Sequence, residues 1–462
     1  MKVETLFLSR TKSLILLLII CYYAEFLPQK YARGLLIEPE QESDVVRSPV
    51  LTLADYSNIP ERFSLKEFAP IPGYQGQYST CGAWATAYSA RTISFILSNS
   101  IPAQNKSLFY FSPSFVYNQL KNDDNCASGI SLKDALDVLK FKGSLWLTEF
   151  QYSCDNTITE EHYKKAKQFS ILEYREIFFR NDQLKVLKTK KSISEFKPVV
   201  IAMACPFSFE NIKDIWIPND EDYNNVNQNG HAVVVVGYDD QKYGGAFEIL
   251  NSWGTEWAEG GFGWISYKDF DHFVYNGFEL IEERNLDKDG IIAGSLSFKL
   301  FDNRLMKFEK FDEILVSSEK YSPKTKFEIF ITNSTPVYLY CFSLDNENNF
   351  TFIFPQDTLT NNIFLYKNST LPIPDEQHYL ELDDKGREDY IFILLSKRQL
   401  PVMEIIFDNP KKRKPIQEIL TSLLKSKPSA YLLRVDSDNK IFFSSNSVKD
   451  NLLPIIIKIK KG

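Results

Sequence analysis

Gln75-Gly76-Gln77-Tyr78-Ser79-Thr80-Cys81 places a glutamine six residues before a cysteine. The cysteine opens a run of small residues whose spacing predicts a helix over 81–98 with alanines along one face. Because the N-terminus of a helix carries partial positive charge, this position favours the thiolate form of Cys81. The stretch therefore predicts a thiol nucleophile with a side-chain amide close by.

Two further polar residues head apolar or aromatic runs downstream. His231 begins His-Ala-Val-Val-Val-Val-Gly-Tyr, and Asn251 begins Asn-Ser-Trp-Gly. If both runs are strands of an antiparallel hairpin centred on residue 241, the two residues stand opposite each other. The amide oxygen of Asn251 would then accept the ring N–H of His231 and turn the other ring nitrogen toward Cys81. Trp253 would shield that hydrogen bond from water.

Cys81, His231 and Asn251, in this order and together with Gln75, resemble the catalytic residues of papain-like cysteine peptidases. The resemblance covers about 58–284 and implies a papain-like two-lobe α+β fold, with a helical lobe and a β lobe. It also implies an activity, the hydrolysis of peptide bonds through a thiol nucleophile.

The resemblance assigns further residues to the site. Gln75 would donate a side-chain N–H to the tetrahedral oxyanion, beside the backbone N–H of Cys81. Trp257 resembles the aromatic wall near the leaving-group side. Gly230 is the one residue that we place in the pocket for the residue before the cleaved bond.

Three departures from the family pattern stand out. Tyr78 replaces the cysteine usually found three residues before the nucleophile, and Gly82 replaces the tryptophan that usually follows it. Only about 35 residues separate the N-terminal residues 1–24, interpreted below as a secretory signal, from the papain-like region that begins near residue 58. The longer inhibitory pro-segment of the family is therefore not expected. We expect the C-terminal domain to guard or target the enzyme instead.

Composition excludes some partners. The 462 residues carry a net charge of -7 and no dense basic stripe, so nucleic acid is not an expected partner. The expected partner is a peptide or protein substrate, with no cofactor and no metal. The resemblance leaves two alternatives open: a catalytically silent papain-fold binding protein, and a transpeptidase or acyltransferase that uses the same residues.

The N-terminus has the charge and hydropathy pattern of a secretory signal over 1–24. A secreted or extracytoplasmic protein is therefore expected, and contact with a membrane only if this segment stays uncleaved or is lipidated. Residues 25–57 are interpreted as a linker or a short pro-segment. Cys126 and Cys154 are the predicted disulfide because both fall in the same lobe, with two buried free thiols as the alternative.

Predicted elements divide the chain further. Helices are expected at 113–121, 131–142, 159–168 and 182–197, strands at 198–204, 231–238, 245–251 and 263–267, and a surface loop at 206–229. A linker is placed at 285–295. Residues 296–462 are expected to form a β-rich, sandwich-like domain, and their Phe- and Tyr-rich strands resemble an accessory domain of unknown function found in bacterial proteins.

Overall fold

The computed structural model describes most of the chain, namely residues 30–37, 45–224, 230–286, 290–345, 349–357, 359–409, 412–426, 428, 431–445 and 452–462. The predicted signal segment 1–24 lies outside these residues. Within the described part, no helix combines the length and the apolar character needed to cross a bilayer.

The first domain combines helices with one large sheet. Its helices and 3-10 turns are Leu53–Ser57, Lys66–Phe68, Cys81–Ala83, Trp84–Arg91 (a π-helix), Thr92–Ser98, Ala103–Phe109, Pro113–Tyr117, Leu132–Phe141, Glu160–Ala166, Lys167–Phe169, Lys185–Ser194, Phe207–Asn211, Asp220–Asn224, Lys242–Gly244, Tyr267–Phe273 and Glu283–Leu286. Its strands are β1 (Arg62–Ser64), β2 (Glu173–Phe178), β3 (Val199–Ala204), β4 (Ile215–Trp216), β5 (Gly230–Asp239), β6 (Ala246–Leu250), β7 (Phe262–Ser266) and β8 (Val274–Ile281).

The large sheet has the order β2-β8-β3-β5-β6-β7-β4, with β1 paired to β5. Its central strand β3 is buried along its whole length, since every residue from Val199 to Ala204 is apolar. The helical stretch that begins at Cys81 packs against β5 and against the helices Pro113–Tyr117 and Leu132–Phe141. This packing brings the start of the helix to the strand that begins beside His231.

The predicted helices of the first lobe form at the expected places. The stretch 81–98 is helical throughout, although Trp84–Arg91 takes π-helical hydrogen bonds. Ser131 caps the helix Leu132–Phe141, because its side chain accepts the backbone N–H of Asp134 at 3.0 Å.

Two predictions in the second lobe are wrong. Residues 206–229, expected to be a surface loop, contain a 3-10 turn, β4 and a short helix, and Phe209 and Trp216 are buried. Strand β2 was not predicted, because Glu173, Arg175 and Glu176 suggest an exposed segment. These charged groups are instead accommodated by partners at the domain junction.

The second domain is a β-sandwich-like unit, as predicted. Its strands are β9 (Ala293–Leu300), β10 (Phe308–Phe311), β11 (Ile314–Tyr321), β12 (Lys326–Asn333), β13 (Val337–Asp345), β14 (Phe350–Phe354), β15 (Ile363–Phe364), β16 (Thr370–Ile373), β17 (Leu380–Glu381), β18 (Glu388–Ser396), β19 (Phe407–Asn409), β20 (Lys412–Arg413), β21 (Tyr431–Val435), β22 (Ile441–Ser445) and β23 (Leu452–Lys461), with helices Val402–Ile406 and Ile416–Ser426.

Two sheets of this domain share one apolar core. The first has the order β10-β11-β23-β18-β13-β14 with β15 on β13, and the second has the order β16-β12-β9-β22-β21 with β17 on β12. Strand β9 begins at Ala293, and Ile292 is fully buried, so the domain starts inside the predicted linker 285–295.

Residues 45–57, here called the junction segment, join the two domains. The backbone of Val46 accepts the N–H of Glu176 in β2 at 2.9 Å, and that of Arg47 accepts the N–H of Asn361 in the second domain at 2.9 Å. Leu51 and Tyr56 are buried in the core of the second domain. The junction segment is therefore a structural part of both domains and not a free linker.

A buried ion pair lies at the same junction. Arg175 Nε donates to Glu279 Oε1 at 2.6 Å, and both side chains are almost completely buried. Ser192 and Tyr366 donate to the other carboxylate oxygen, each at 2.8 Å. Although burial alone would raise it, Arg175 and Lys197 hold the pKa of Glu279 below its usual value. This carboxylate is thus fully compensated at neutral pH.

Candidate active site

Cys81 lies at the start of the helical stretch 81–98 and is completely buried. Burial raises the pKa of its thiol to about 11, and the backbone N–H groups of Ala232 and Gly34 offset only part of that rise. Ala232 directly follows His231, so the thiol lies next to the strand that carries the histidine. In this state Cys81 is a neutral thiol.

His231 and Asn251 are in contact. His231 Nε2 lies 2.8 Å from Asn251 Oδ1, and both side chains are buried. The other ring nitrogen, Nδ1, has no hydrogen-bond partner among the described residues. Burial lowers the pKa of His231 to about 3, against the opposing effect of the Asn251 hydrogen bond. The ring is neutral, with one nitrogen fixed by the amide and the other free.

The strand register behind this contact differs from the prediction. The pairs of β5 and β6 are Val234 with Leu250 and Val235 with Ile249, and the register shifts between Val235 and Gly237. Continued outward, this register would place Asn251 opposite Val233 and not opposite His231. Residues two apart share a face of a strand, so the side chains meet diagonally. The predicted centre of the hairpin at residue 241 was wrong, but the prediction that His231 and Asn251 lie on the same face of the sheet was right.

Aromatic rings cover the histidine. Trp253 stacks on His231, with ring centroids 4.6 Å apart, and Trp257 meets Trp253 edge to face at 5.7 Å. Trp257 Nε1 donates to the backbone oxygen of Phe209 at 3.2 Å, which fixes the neighbouring turn. These rings exclude water from the side of His231 that Trp253 covers.

Gln75 is held in one orientation. Its Oε1 accepts the Ser252 hydroxyl at 2.7 Å, from the residue that follows Asn251. Its Nε2 donates to the backbone oxygens of Tyr78 at 2.7 Å and of Ala32 at 3.2 Å. The side-chain amide of Gln75, which was predicted to bind the oxyanion, thus donates to the peptide carbonyl of Ala32. Ala32 lies in the N-terminal stretch before the predicted peptidase domain.

That carbonyl belongs to residues 30–37, here called the cleft segment. Leu35 donates its backbone N–H to the oxygen of Gly230 at 3.1 Å. Ile130 receives the N–H of Leu36 at 3.0 Å and donates its own N–H to Gly34, also at 3.0 Å. Tyr31 stacks on Trp253, with centroids 4.7 Å apart and planes 6° from parallel. The cleft segment therefore contacts Gly230, Ile130, Gln75 and Trp253.

The presence of this cover changes the interpretation of residues 25–57. A free linker would not lie in the cleft, whereas a short pro-segment would. Residues 30–37 are a short segment, as in the second of these interpretations, and Cys81 and His231 are completely buried with this segment in place. Sequence reasoning missed these contacts because they join residues far apart in the chain.

Gly34 gives a local signal in the sequence for the close packing of the cleft segment. A Cβ atom there would lie 2.4 Å from both Cα and the carbonyl oxygen of Ser79, so only glycine allows this approach. Gly82 is explained in a similar way, because a Cβ there would lie 3.1 Å from Ile130. In this chain Ile130 and Leu35 fill the space where the family usually has a tryptophan.

Arg33 and Glu210 form a buried ion pair in the cleft, at 2.7 Å, which sequence reasoning also missed. In the helical lobe, Cys126 and Cys154 are joined in a disulfide with Cα atoms 6.0 Å apart, the pairing that was predicted. The backbone oxygen of Cys126 accepts the N–H of Ser79 at 2.8 Å. The disulfide thus supports the loop that leads to Cys81.

Residues 60–274 match the family model described as papain family cysteine protease. The predicted papain-family resemblance is confirmed. Residues 320–399 match a second model, described as a domain of unknown function (DUF4384), which lies within the predicted accessory domain. A search of curated proteins finds no match.

Solved structures of papain-like proteins are also similar to this chain. Xylellain, a cysteine protease from Xylella fastidiosa, is 21% identical, covers 55% of this chain and 96% of its own, and has a TM-score of 0.45. Digestive procathepsin L 3 of Tenebrio molitor larval midgut is 15% identical, covers 54% of this chain and 76% of its own, and has a TM-score of 0.43.

Proposed function

We propose that this protein is a cysteine peptidase that hydrolyses peptide bonds with Cys81 as nucleophile. The observation that carries the proposal is the arrangement around the thiol. A buried imidazole is fixed by Asn251 on the adjacent strand, and the amide of Gln75 already binds a peptide carbonyl. The family match of residues 60–274 supports the same class of chemistry.

The chemistry follows from these positions. Cys81 Sγ attacks the carbonyl carbon while its proton passes to His231, and the C=O electron pair moves to the oxygen. Gln75 Nε2 and the backbone N–H of Cys81 stabilise that oxyanion. His231 then protonates the leaving amine as the C–N bond breaks. Water, deprotonated by His231, hydrolyses the thioester and returns the thiol.

Asn251 and Trp253 are positioning residues in this scheme. Asn251 holds the ring tautomer whose Nδ1 remains available for proton transfer, and Trp253 keeps water from competing for that hydrogen bond. Two further residues offer backbone hydrogen bonds to an extended chain. Gly230 offers its carbonyl oxygen, and Ile130 offers both its carbonyl oxygen and its N–H. A substrate would take the backbone hydrogen bonds that Leu35, Gly34 and Leu36 make now.

The proposal includes an inactive precursor. With the cleft segment in place, Cys81 and His231 are both neutral and no substrate reaches them. Activity then requires the cleft segment to leave. An extracytoplasmic location is part of the proposal, supported by the Cys126–Cys154 disulfide, which persists in oxidising compartments.

The test uses the full chain with Tyr31→Ala, Arg33→Ala and Leu35→Ala, here called the open-cleft variant. We expect it to cleave a mixed peptide library, and we expect Cys81→Ala on the same background to abolish cleavage. Cys341→Ala, which removes a buried thiol of the second domain, is the matched control. Product masses separate hydrolysis from transfer to an amine. A folded open-cleft variant that cleaves nothing would contradict the proposal and favour a binding protein.

A further inference from the structure

Glu210 is a buried carboxylate whose partners all come from the cleft segment. Its side chain is 6% exposed and lies in the 3-10 turn Phe207–Asn211 after β3. Arg33 NH2 donates to Oε1 at 2.7 Å, and the backbone N–H of Lys30 donates to Oε2 at 3.1 Å. Within the described parts of the chain, no group of the papain-like domain itself donates to this carboxylate.

A buried carboxylate without a partner of its own domain is costly, because charge is taken from water with nothing to compensate it. The domain nevertheless keeps Glu210 in its cleft wall. The compensating cation has to arrive with whatever chain occupies the cleft. In this structure that chain is the cleft segment, and when it leaves, the same position is open to a substrate.

The surroundings of Glu210 suit a cation with an extended side chain. The guanidinium carbon of Arg33 lies 4.9 Å from the centre of the Phe207 ring and 5.9 Å from that of Trp253. The backbone oxygen of Pro206 lies 3.4 Å from Arg33 NH2. Aromatic faces, a carbonyl and a carboxylate are together the groups that bind arginine side chains. Arg33 engages Glu210 through one nitrogen, so an ammonium group fits the same contact.

The position of this subsite relative to the reacting bond follows from its neighbours. Trp257 donates to the oxygen of Phe209, the residue before Glu210, and Trp253 is near both the guanidinium of Arg33 and the ring of His231. The papain-family resemblance implies that this aromatic wall lies on the leaving-group side. Glu210 therefore faces the part of a substrate that follows the cleaved bond.

We infer that Glu210 selects substrates with arginine or lysine within the first two residues after the cleaved bond. The inference rests on the proposed peptidase function and names its substrate class, peptides that are basic on the leaving-group side. Arg33 of the cleft segment occupies the subsite by the same chemistry.

The experiment compares two peptides on the open-cleft variant, in which Arg33 is absent. The peptides differ only in having arginine or citrulline at the first two positions after the cleaved bond. Citrulline keeps the shape of arginine and removes the charge. Because hydrogen bonds to charged groups are worth more than neutral ones, we expect kcat/KM to be about 10- to 100-fold higher for the arginine peptide.

Substitutions test whether Glu210 causes this ratio. Glu210→Gln should bring the arginine-to-citrulline ratio close to one, and Glu210→Lys should favour a glutamate-containing peptide. Glu256→Gln, which removes an exposed carboxylate of the Trp253–Trp257 loop, should keep the ratio. Cleavage with a ratio near one in the presence of Glu210, or a ratio that Glu210→Gln leaves unchanged, would overturn the inference. Glu210 would then serve only to hold the cleft segment.

A binding measurement separates failure of the inference from failure of the proposed function. On the open-cleft background, Cys81→Ala should bind the arginine peptide about 10-fold or more tightly than the citrulline peptide, and Glu210→Gln should remove the difference. If no variant cleaves either peptide but this difference persists, the peptidase function fails and the basic subsite stands. If both peptides are cleaved and bound equally, the function stands and the subsite fails.

Discussion

The cleft and the domain junction both bury ionisable groups, but they compensate them differently. In the cleft, His231 Nδ1 has no partner among the described residues, and burial lowers the pKa of His231 to about 3. At the junction, Arg175 meets Glu279 at 2.6 Å, and the carboxylate stays ionised. One N-terminal stretch contributes to both places. The difference indicates that covering His231 carries an electrostatic cost, whereas Glu279 at the junction is compensated.

The two segments bury apolar side chains in different domains. The junction segment places Leu51 and Tyr56 inside the core of the second domain, where they are 1% and 3% exposed. The cleft segment places Tyr31 and Leu35 in the core of the first domain, where each is 6% exposed. Apolar burial therefore stabilises both segments in their places.

The largest expected effect breaks the junction. Glu279→Gln leaves the buried Arg175 guanidinium without its counter-charge, so we expect it to destabilise the protein by about 3–5 kcal/mol. Urea unfolding followed by far-UV circular dichroism measures this loss. Glu161→Gln, which removes an exposed helix ion pair with Lys165, is the matched control and should change stability by less than about 0.5 kcal/mol. Equal stability of Glu279→Gln and the parent would show that the junction does not depend on this pair.

The next largest expected effect is weaker binding of the cleft segment. Tyr31→Ala removes the ring that stacks on Trp253, so the cleft segment should spend more time away from Cys81. We expect the rate of Cys81 alkylation by a thiol-directed epoxide to rise by about 10- to 100-fold. Tyr379→Ala in the second domain is the control, and its rate should match the parent. An unchanged rate in Tyr31→Ala would mean that the ring does not hold the cover.

The smallest effect is a pH dependence that separates the two regions. Since the covered His231 has a pKa of about 3 against an ordinary 6.5, the open state binds a proton that the closed state does not below pH 6.5. The charge of Arg33, which faces the ring, lowers the pKa of His231 further. Opening should gain up to about 1.4 kcal/mol for each pH unit between 6.5 and 4.5. Hydrogen–deuterium exchange of the Leu35 amide, corrected for the intrinsic pH dependence of exchange, measures this gain.

The junction should not respond in this window. The pKa of Glu279 is depressed, so its contribution is present above the ordinary carboxyl value of 4.5 and is lost only as pH falls below it. Unfolding measured at pH 6.5 and at pH 5 should therefore agree. A junction that weakens together with the opening of the cleft would show that the two regions are coupled.

Local motifs predicted the residues of the candidate site. Contacts between residues that are far apart in the chain could not be predicted from sequence. The residue types around each site residue indicate its chemistry, and these site residues are Gln75, Cys81, His231 and Asn251. The hairpin register was two residues off because the pairs next to the turn, such as Asp239 with Ala246, are not centred on residue 241 as the prediction assumed. The strand direction and face were still correct, so the predicted contact formed.

Charged residues misled the prediction in two places. Strand β2 was missed because Arg175 and Glu176 suggest a solvated segment, although β8 and the second domain supply their partners. Glu210 was hidden in a stretch expected to be a surface loop. Among the described residues, the cation that pairs with it is Arg33, 177 residues away in sequence. No local pattern encodes a pair of that separation.

The most direct test of the account is mass spectrometry after incubation with a thiol-directed epoxide, run on the parent chain and the open-cleft variant side by side. The account predicts a single adduct on Cys81 that forms fast in the open-cleft variant and slowly in the parent. Equal labelling of the two proteins, or an adduct on Cys205 in place of Cys81, would contradict it.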